Sequence, residues 1–156
     1  MVTQRLHSLL EEHEVTFETH THARVVTAQH LAAEEHVSGW QVAKPVLLSI
    51  GGELAMAVVP AAADVDLGKS SEVLGHNEVR LATEEEFATT FDDCELGAEP
   101  PFGNLYGIPV FLDERLRAQE RIVCRDGTHT SSISLPVVDY VRVVGPEIVD
   151  IARFGD

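Results

Sequence analysis

Two apolar runs, Val46-Leu47-Leu48-Ser49-Ile50 and Leu54-Ala55-Met56-Ala57-Val58-Val59, flank the pair Gly51-Gly52. A two-residue turn of the kind that matches strand twist needs positive φ at its central residues, and a glycine pair supplies it without steric cost. The segment therefore reads as a β-hairpin, and its lack of polar alternation buries it on both faces. No other stretch of the chain restricts the fold as much.

The elements around it fall into a mixed order. Thr3 can cap a first helix with Leu6, Leu9, Leu10 and His13 on one face, and Thr27 can cap a second with Ala28, Leu31 and Ala32. Val15, Phe17 and Thr19 alternate as a strand would. Asp66 can cap a helix ending near Gly75, and Thr83 with Glu86 has capping-box spacing. Pro109 to Leu112, Glu120 to Arg125 and Thr130 to Leu135 read as strands, the last two joined at Asp126-Gly127. Pro136 is placed to open a final helix reaching about Val143, stopped by Gly145-Pro146. Hairpins mixed with helices, rather than regular strand–helix alternation, predict an α+β fold with a largely antiparallel or mixed sheet. At 156 residues the expectation is one domain, 1–156, with one core.

The formal net charge of −15, with 26 acidic residues against only two lysines, Lys44 and Lys69, restricts the choice of partner. A protein of this charge meets nucleic-acid phosphates only where it concentrates positive potential locally. The acidic surface suits either a salt-rich cytoplasm or solvated decoration that resists aggregation. No apolar run is long enough to cross a bilayer, and the N-terminal residues lack the apolar stretch of a secretory signal, so a cytoplasmic protein without a membrane partner is expected. Cys94 and Cys124 form no disulfide framework, and Cys94 sits among Asp92, Asp93 and Glu95, which disfavour a thiolate.

Three features could carry chemistry. Lys44 lies between Trp40-Gln41-Val42-Ala43 and Pro45-Val46-Leu47-Leu48, where an ammonium is costly to bury. It either meets an anion in a cleft or snorkels to water from a strand end. Gly97-Ala98-Glu99-Pro100-Pro101-Phe102-Gly103 is a stiffened loop whose backbone N–H groups could hold a carboxylate or an oxyanion; a structural crossover is the plainer alternative. His20-Thr21-His22 could bring two rings to one face of a strand, but no further ligand stands at a recognisable short spacing, so neither metal nor cofactor is expected. His129 either projects into a cleft or stands exposed on a strand. Neither a nucleophile elbow nor a dinucleotide-binding glycine pattern occurs.

In this order, His22 to Ala28, Val42 to Leu47, Met56 to Pro60, Asp66-Leu67, Leu81 to Glu86, Gly97 to Gly103, Pro109 to Asp113 and Gly127 to His129 resemble the YbaK/prolyl-tRNA-synthetase-associated family. The resemblance implies a compact single α+β domain around a mixed, curved sheet flanked by helices. It implies hydrolysis of the ester bond of mischarged tRNA; the lack of a ligand set adds the expectation of a metal-independent reaction without cofactor, and DNA is not an expected partner. Lacking a synthetase body, the chain resembles the free-standing members that edit in trans. The family lysine corresponds to Lys44, and the family loop to Gly97 through Pro101. By the same resemblance Lys44, Gly97, Ala98 and Glu99 are expected at the catalytic centre. His22, Thr27, Pro100, Pro101, Phe102, Gly103 and His129 are expected around the substrate. Many relatives carry threonine directly after the lysine; Pro45 stands there in this chain and removes a backbone N–H. The rival reading keeps the fold but makes the cleft a non-catalytic module for a small acyl ligand or a protein partner.

Overall fold

The computed structural model describes residues 3–76 and 78–154, so the ends of the expected 1–156 domain lie outside the described residues. The chain runs through α1 (Gln4–Glu12), β1 (Glu18–Thr21), α2 (Ala28–Glu34), β2 (Val42–Ile50), β3 (Glu53–Pro60), β4 (Asp64–Val65), α3 (Leu67–Leu74), β5 (Val79–Leu81) and α4 (Glu84–Phe87). A 3-10 turn at Gly103–Tyr106 leads into β6 (Val110–Asp113), α5 (Glu114–Arg117), β7 (Arg121–Arg125), β8 (Ser131–Pro136), α6 (Val137–Val144), β9 (Glu147–Val149) and β10 (Ala152–Arg153).

The glycine hairpin forms as expected. β2 and β3 pair antiparallel from Ala43↔Pro60 to Ile50↔Glu53, and Gly51 and Gly52 turn at φ 59° and 88°. From this centre the main sheet runs in the order β1-β8-β7-β2-β3-β6-β9, with β5 also paired to β2. The contacts β2–β7, β3–β6 and β6–β9 are parallel and the others antiparallel, so the sheet is mixed. β4 and β10 form a separate two-stranded ribbon.

Successive β3 residues go to opposite faces, which is why the hairpin reads as apolar throughout. Met56 and Val58 join Leu6, Leu10, Leu112, Leu116, Ile122, Leu135 and Tyr140 in one cluster, under α1, α5 and α6. Ala57 and Val59 join Leu48, Val149, Ile151 and Ala152 on the other face. Leu31 and Ala32 of α2 cover Val42, Ala61 and Val123. The capping residues act as expected: Thr3, Thr27, Asp66 and Thr83 each accept from the backbone N–H three residues on, and Glu86 completes the capping box.

Several expectations need correction. The strand expected at Val15–Thr19 begins instead at Glu18, and Val15 is a core residue of the loop before it. Pro136 does open the last helix, as its N-cap. Lys44 is inside a nine-residue strand, not at its end.

One irregularity of the sheet creates the site. The edge of β2 facing away from β3 has two partners in succession: β7 at Val42 and Ala43, and β5 at Leu48 to Ile50. The stretch around Pro45 has neither. The carbonyls of Gln41 and Leu47 accept from Val123 and Ala82 N–H on this edge, so by the two-residue period Pro45 faces the same gap. A proline is tolerated here because no ladder bond is lost.

Candidate functional site

A cleft of about 280 Å³ opens at this gap, lined by Val26, Thr27 and Ala28 at the start of α2, Leu31, Val42 to Pro45 of β2, Gly97, and Arg125 at the end of β7. Its two charged lining residues, Lys44 and Arg125, are both cations, in a chain of net charge −15. Two hollows of about 420 and 450 Å³ lie elsewhere, beside Glu78 and Arg80 and beside Asp64, Asp66 and Arg153. Each mixes acid and base, so chemistry rather than size singles out the smaller cleft.

Lys44 is not the unpaired ammonium suggested by its apolar neighbours. Nζ donates to the Ala63 carbonyl at 2.5 Å and to Asp64 Oδ1 at 3.3 Å, partners brought from the end of β3 and from β4. The Lys44 side chain is 25% exposed and that of Asp64 71%, so this ion pair opens to solvent and an anion can compete for the ammonium.

Arg125 was not among the sequence-derived candidates. Only 4% of it is exposed. Its Nη2 donates to the Thr27 carbonyl at 3.2 Å, while the buried Nη1 has no hydrogen-bond acceptor among the described residues. Burial pushes its pKa down, and the neighbouring Asp126 and Glu99 carboxylates oppose that shift. The sequence signal was present, since an arginine closing an apolar strand directly before Asp126-Gly127 is out of pattern.

The loop after Cys94 meets the cleft at one residue. Gly97 is exposed, whereas residues 98 to 103 are all buried. Its φ of +85° favours glycine, and a Cβ there would lie 3.5 Å from the His129 ring. The N–H groups expected to hold a carbonyl or oxyanion are engaged inside the loop. Gly97 N–H donates to Glu99 Oε2 at 2.9 Å, and Ala98 N–H to the Glu95 carbonyl at 3.0 Å. The Glu99 N–H is directed to its own carboxylate. Glu99 itself faces a hollow lined by Phe91, Cys94 and Leu96 rather than the cleft. Burial pushes its carboxyl up, and the two backbone N–H groups pull the other way.

Behind Gly97 the loop is core. Phe102 is fully buried and meets Tyr140 edge-on at 5.2 Å, and Tyr140 Oη donates to the Pro101 carbonyl. A Cβ on Gly103 would come within 2.9 Å of Ile108 and Val110. Pro100, Pro101, Phe102 and Gly103, expected around the substrate, thus support the loop and are not among the residues lining the cleft. His129 is also neither exposed nor in the cleft. It is 1% exposed, with Nε2 2.8 Å from the Leu96 carbonyl, Nδ1 3.3 Å from the Val25 carbonyl, and its backbone N–H donating to Glu95 Oε1. It ties the loop to the chain before α2 and so positions both Gly97 and Thr27. His22 stands outside the lining, with Nδ1 2.8 Å from the Ala23 carbonyl. His20 faces Glu18 at 3.6 Å. Among the described residues, no three His, Cys, Asp or Glu side chains gather as a metal site. Cys94 is no latent nucleophile, because burial pushes its thiol up to about 12.

Residues 22–143 match the aminoacyl-tRNA editing domain family. The multifunctional Ser/Thr-tRNA deacylase ProXp-y of Escherichia coli strain K12 is 26% identical over 155 residues, covering 96% of this chain and 92% of the relative. Among solved structures, a hypothetical protein superposes with a TM-score of 0.86 at 18% identity, covering 96% of this chain and 100% of that one. A candidate trans-editing enzyme for prolyl tRNA synthetase superposes with a TM-score of 0.82 at 22% identity, covering 96% of each chain. Those structures share the fold, and the match over residues 22–143 covers every residue lining the cleft. The chain belongs to the aminoacyl-tRNA editing domain family.

Proposed function

We propose that this protein is a free-standing aminoacyl-tRNA deacylase, acting in trans on the ester that joins a small amino acid to the terminal ribose of a mischarged tRNA. The observation that carries the reading is the convergence of Lys44, Arg125, Thr27 and Gly97 on one cleft at the gap beside β2. That cleft supplies the local positive potential an acidic protein needs to receive a tRNA end. The ester is already activated, so positioning a water molecule and stabilising the tetrahedral oxyanion suffice. Water oxygen attacks the carbonyl carbon, the carbon–oxygen bond to ribose breaks, and a proton passes to the ribose oxygen. Lys44, released from Asp64, holds the terminal phosphate. Gly97, kept in place by His129, closes the cleft against the acyl group. The reaction proceeds without metal, in the cytoplasm where charged tRNA resides.

Seryl- and threonyl-tRNA are the first substrates to try, given the activity named for the Escherichia coli relative. The test is a deacylation panel of alanyl-, cysteinyl-, seryl- and threonyl-tRNA, run with and without chelator. Hydrolysis of at least one, unaffected by chelator, is expected. Loss of activity with chelator and its return with zinc would overturn the metal-free mechanism. The engagement of the Gly97 and Ala98 N–H groups within the loop favours a second reading, a binding module without chemistry. Inactivity across the panel, with retained binding of a non-hydrolysable aminoacyl analogue, would establish that alternative.

A further inference from the structure

Arginine burial sets a problem that the fold does not solve internally. Arg125 is a buried residue, yet its buried Nη1 reaches no acceptor among the described residues. Leaving a buried charged donor unsatisfied costs more than replacing it with an apolar side chain, so Nη1 calls for a partner that the described residues do not supply. The neighbouring carboxylates oppose the burial shift without bonding Nη1. Asp126 accepts from Thr128 N–H, Thr128 Oγ1 and Ser131 Oγ, while Glu99 accepts from Gly97 N–H.

The surroundings indicate which substrate atom it meets. Arg125 lines the cleft together with Val42 and Leu31, all three buried, whereas Lys44 stays partly exposed. A phosphodiester remains with the ribose at the wetter end; the acyl group is the part that enters. The backbone donors expected from the Pro45 and Gly97 segments do not serve there. Pro45 has no N–H on the edge that faces the gap, and the N–H groups of Gly97 and Ala98 are bonded within the loop.

Building on the deacylase reading, we propose that Arg125 is a catalytic residue whose Nη1–H donates to the carbonyl oxygen of the aminoacyl ester and stabilises the oxyanion formed when water adds. The second guanidinium nitrogen, anchored on the Thr27 carbonyl at 3.2 Å, fixes the direction of that donor. Because the donor is in place before the reaction, no reorganisation is needed as charge develops.

The test uses wild type, Arg125→Gln, Arg125→Met and Arg125→Lys on a charged tRNA that the wild type hydrolyses. Readouts are kcat, KM, binding of the amide-linked aminoacyl analogue, and urea midpoint. Loss of one oxyanion donor lowers kcat by about 10²–10³-fold. KM and analogue binding should change little, because the contact strengthens only in the transition state. Arg125→Lys should recover part of kcat. The urea midpoint of Arg125→Met should not fall, since the variant removes a desolvated charge. A raised KM with weakened analogue binding and unchanged kcat would assign Arg125 to phosphate and overturn the proposal. A fall in urea midpoint matching the activity loss, or unchanged activity, would overturn it equally. Wild type inactive on every charged tRNA would overturn the deacylase reading itself, and this inference with it.

Discussion

Glu99 is an acid that the fold buries behind Gly97. In the fold it is 6% exposed, and its carboxylate receives the Gly97 N–H. Burial raises its folded-state pKa above the unfolded value. An acid shifted this way binds more protons when folded, so its presence costs stability above the folded pKa and costs nothing below the unfolded one. Glu99→Gln should therefore raise the urea midpoint at neutral pH, and the gain should shrink as pH falls through the folded pKa towards 4. A gain independent of pH would contradict this account. Cys94 gives a second check at the same scale. With its thiol pushed up to about 12, it should resist alkylation by iodoacetamide at pH 8 in the native protein and react once urea unfolds it.

At the scale of elements, legibility tracks length and local signals. The β2–β3 hairpin, α1, α3 and α6 carried apolar runs or faces, caps and glycines that fix them locally. The strands β4, β5, β9 and β10, of two or three residues each, have no periodicity to read; pairing with distant partners creates them. The gap beside Pro45 escaped notice for the same reason, since it depends on where β5 and β7 happen to stop along β2. The loop from Gly97 stood out in the sequence, but its front and rear could not be told apart. Phe102 lies in the core beneath it, against Tyr140. Phe102→Ala should therefore cost about 3–5 kcal/mol of stability. At temperatures where the variant remains folded, KM should stay close to wild type. A changed KM with little loss of stability would return Phe102 to the substrate pocket.

Taken as a whole, the molecule gathers two cations at one cleft while carrying a net charge of −15, and the proposed ligand is a polyanion. Repulsion between protein and tRNA acts over a Debye length of about 10 Å at 0.1 M salt, while contacts inside the cleft are screened less. Raising salt from low to moderate concentration should leave KM for tRNA nearly unchanged or lower it, unlike the steep loss that many phosphate contacts produce. A steep rise in KM with salt would reveal an extended basic surface that the structure does not account for. The family and the mixed sheet were both legible from the ordered set of short stretches. What could not be read was the partner of Lys44, because Asp64 lies 20 residues away and meets it only through β3 and β4.

The central claim, that the Lys44 cleft is where the ester is hydrolysed, is tested most directly by comparing wild type, Lys44→Ala and Lys44→Arg on one mischarged tRNA, with urea midpoints measured in parallel. Removing a charge-assisted contact of roughly 1.5–3 kcal/mol lowers kcat/KM by about 10- to 150-fold. The half-exposed Lys44–Asp64 pair contributes little to folding, so the midpoint should hardly move. Arginine should restore only part of the activity, because its planar fork does not reproduce a compact ammonium. Equal activity of wild type and Lys44→Ala, or a fall in midpoint large enough to explain the lost activity, would contradict the account.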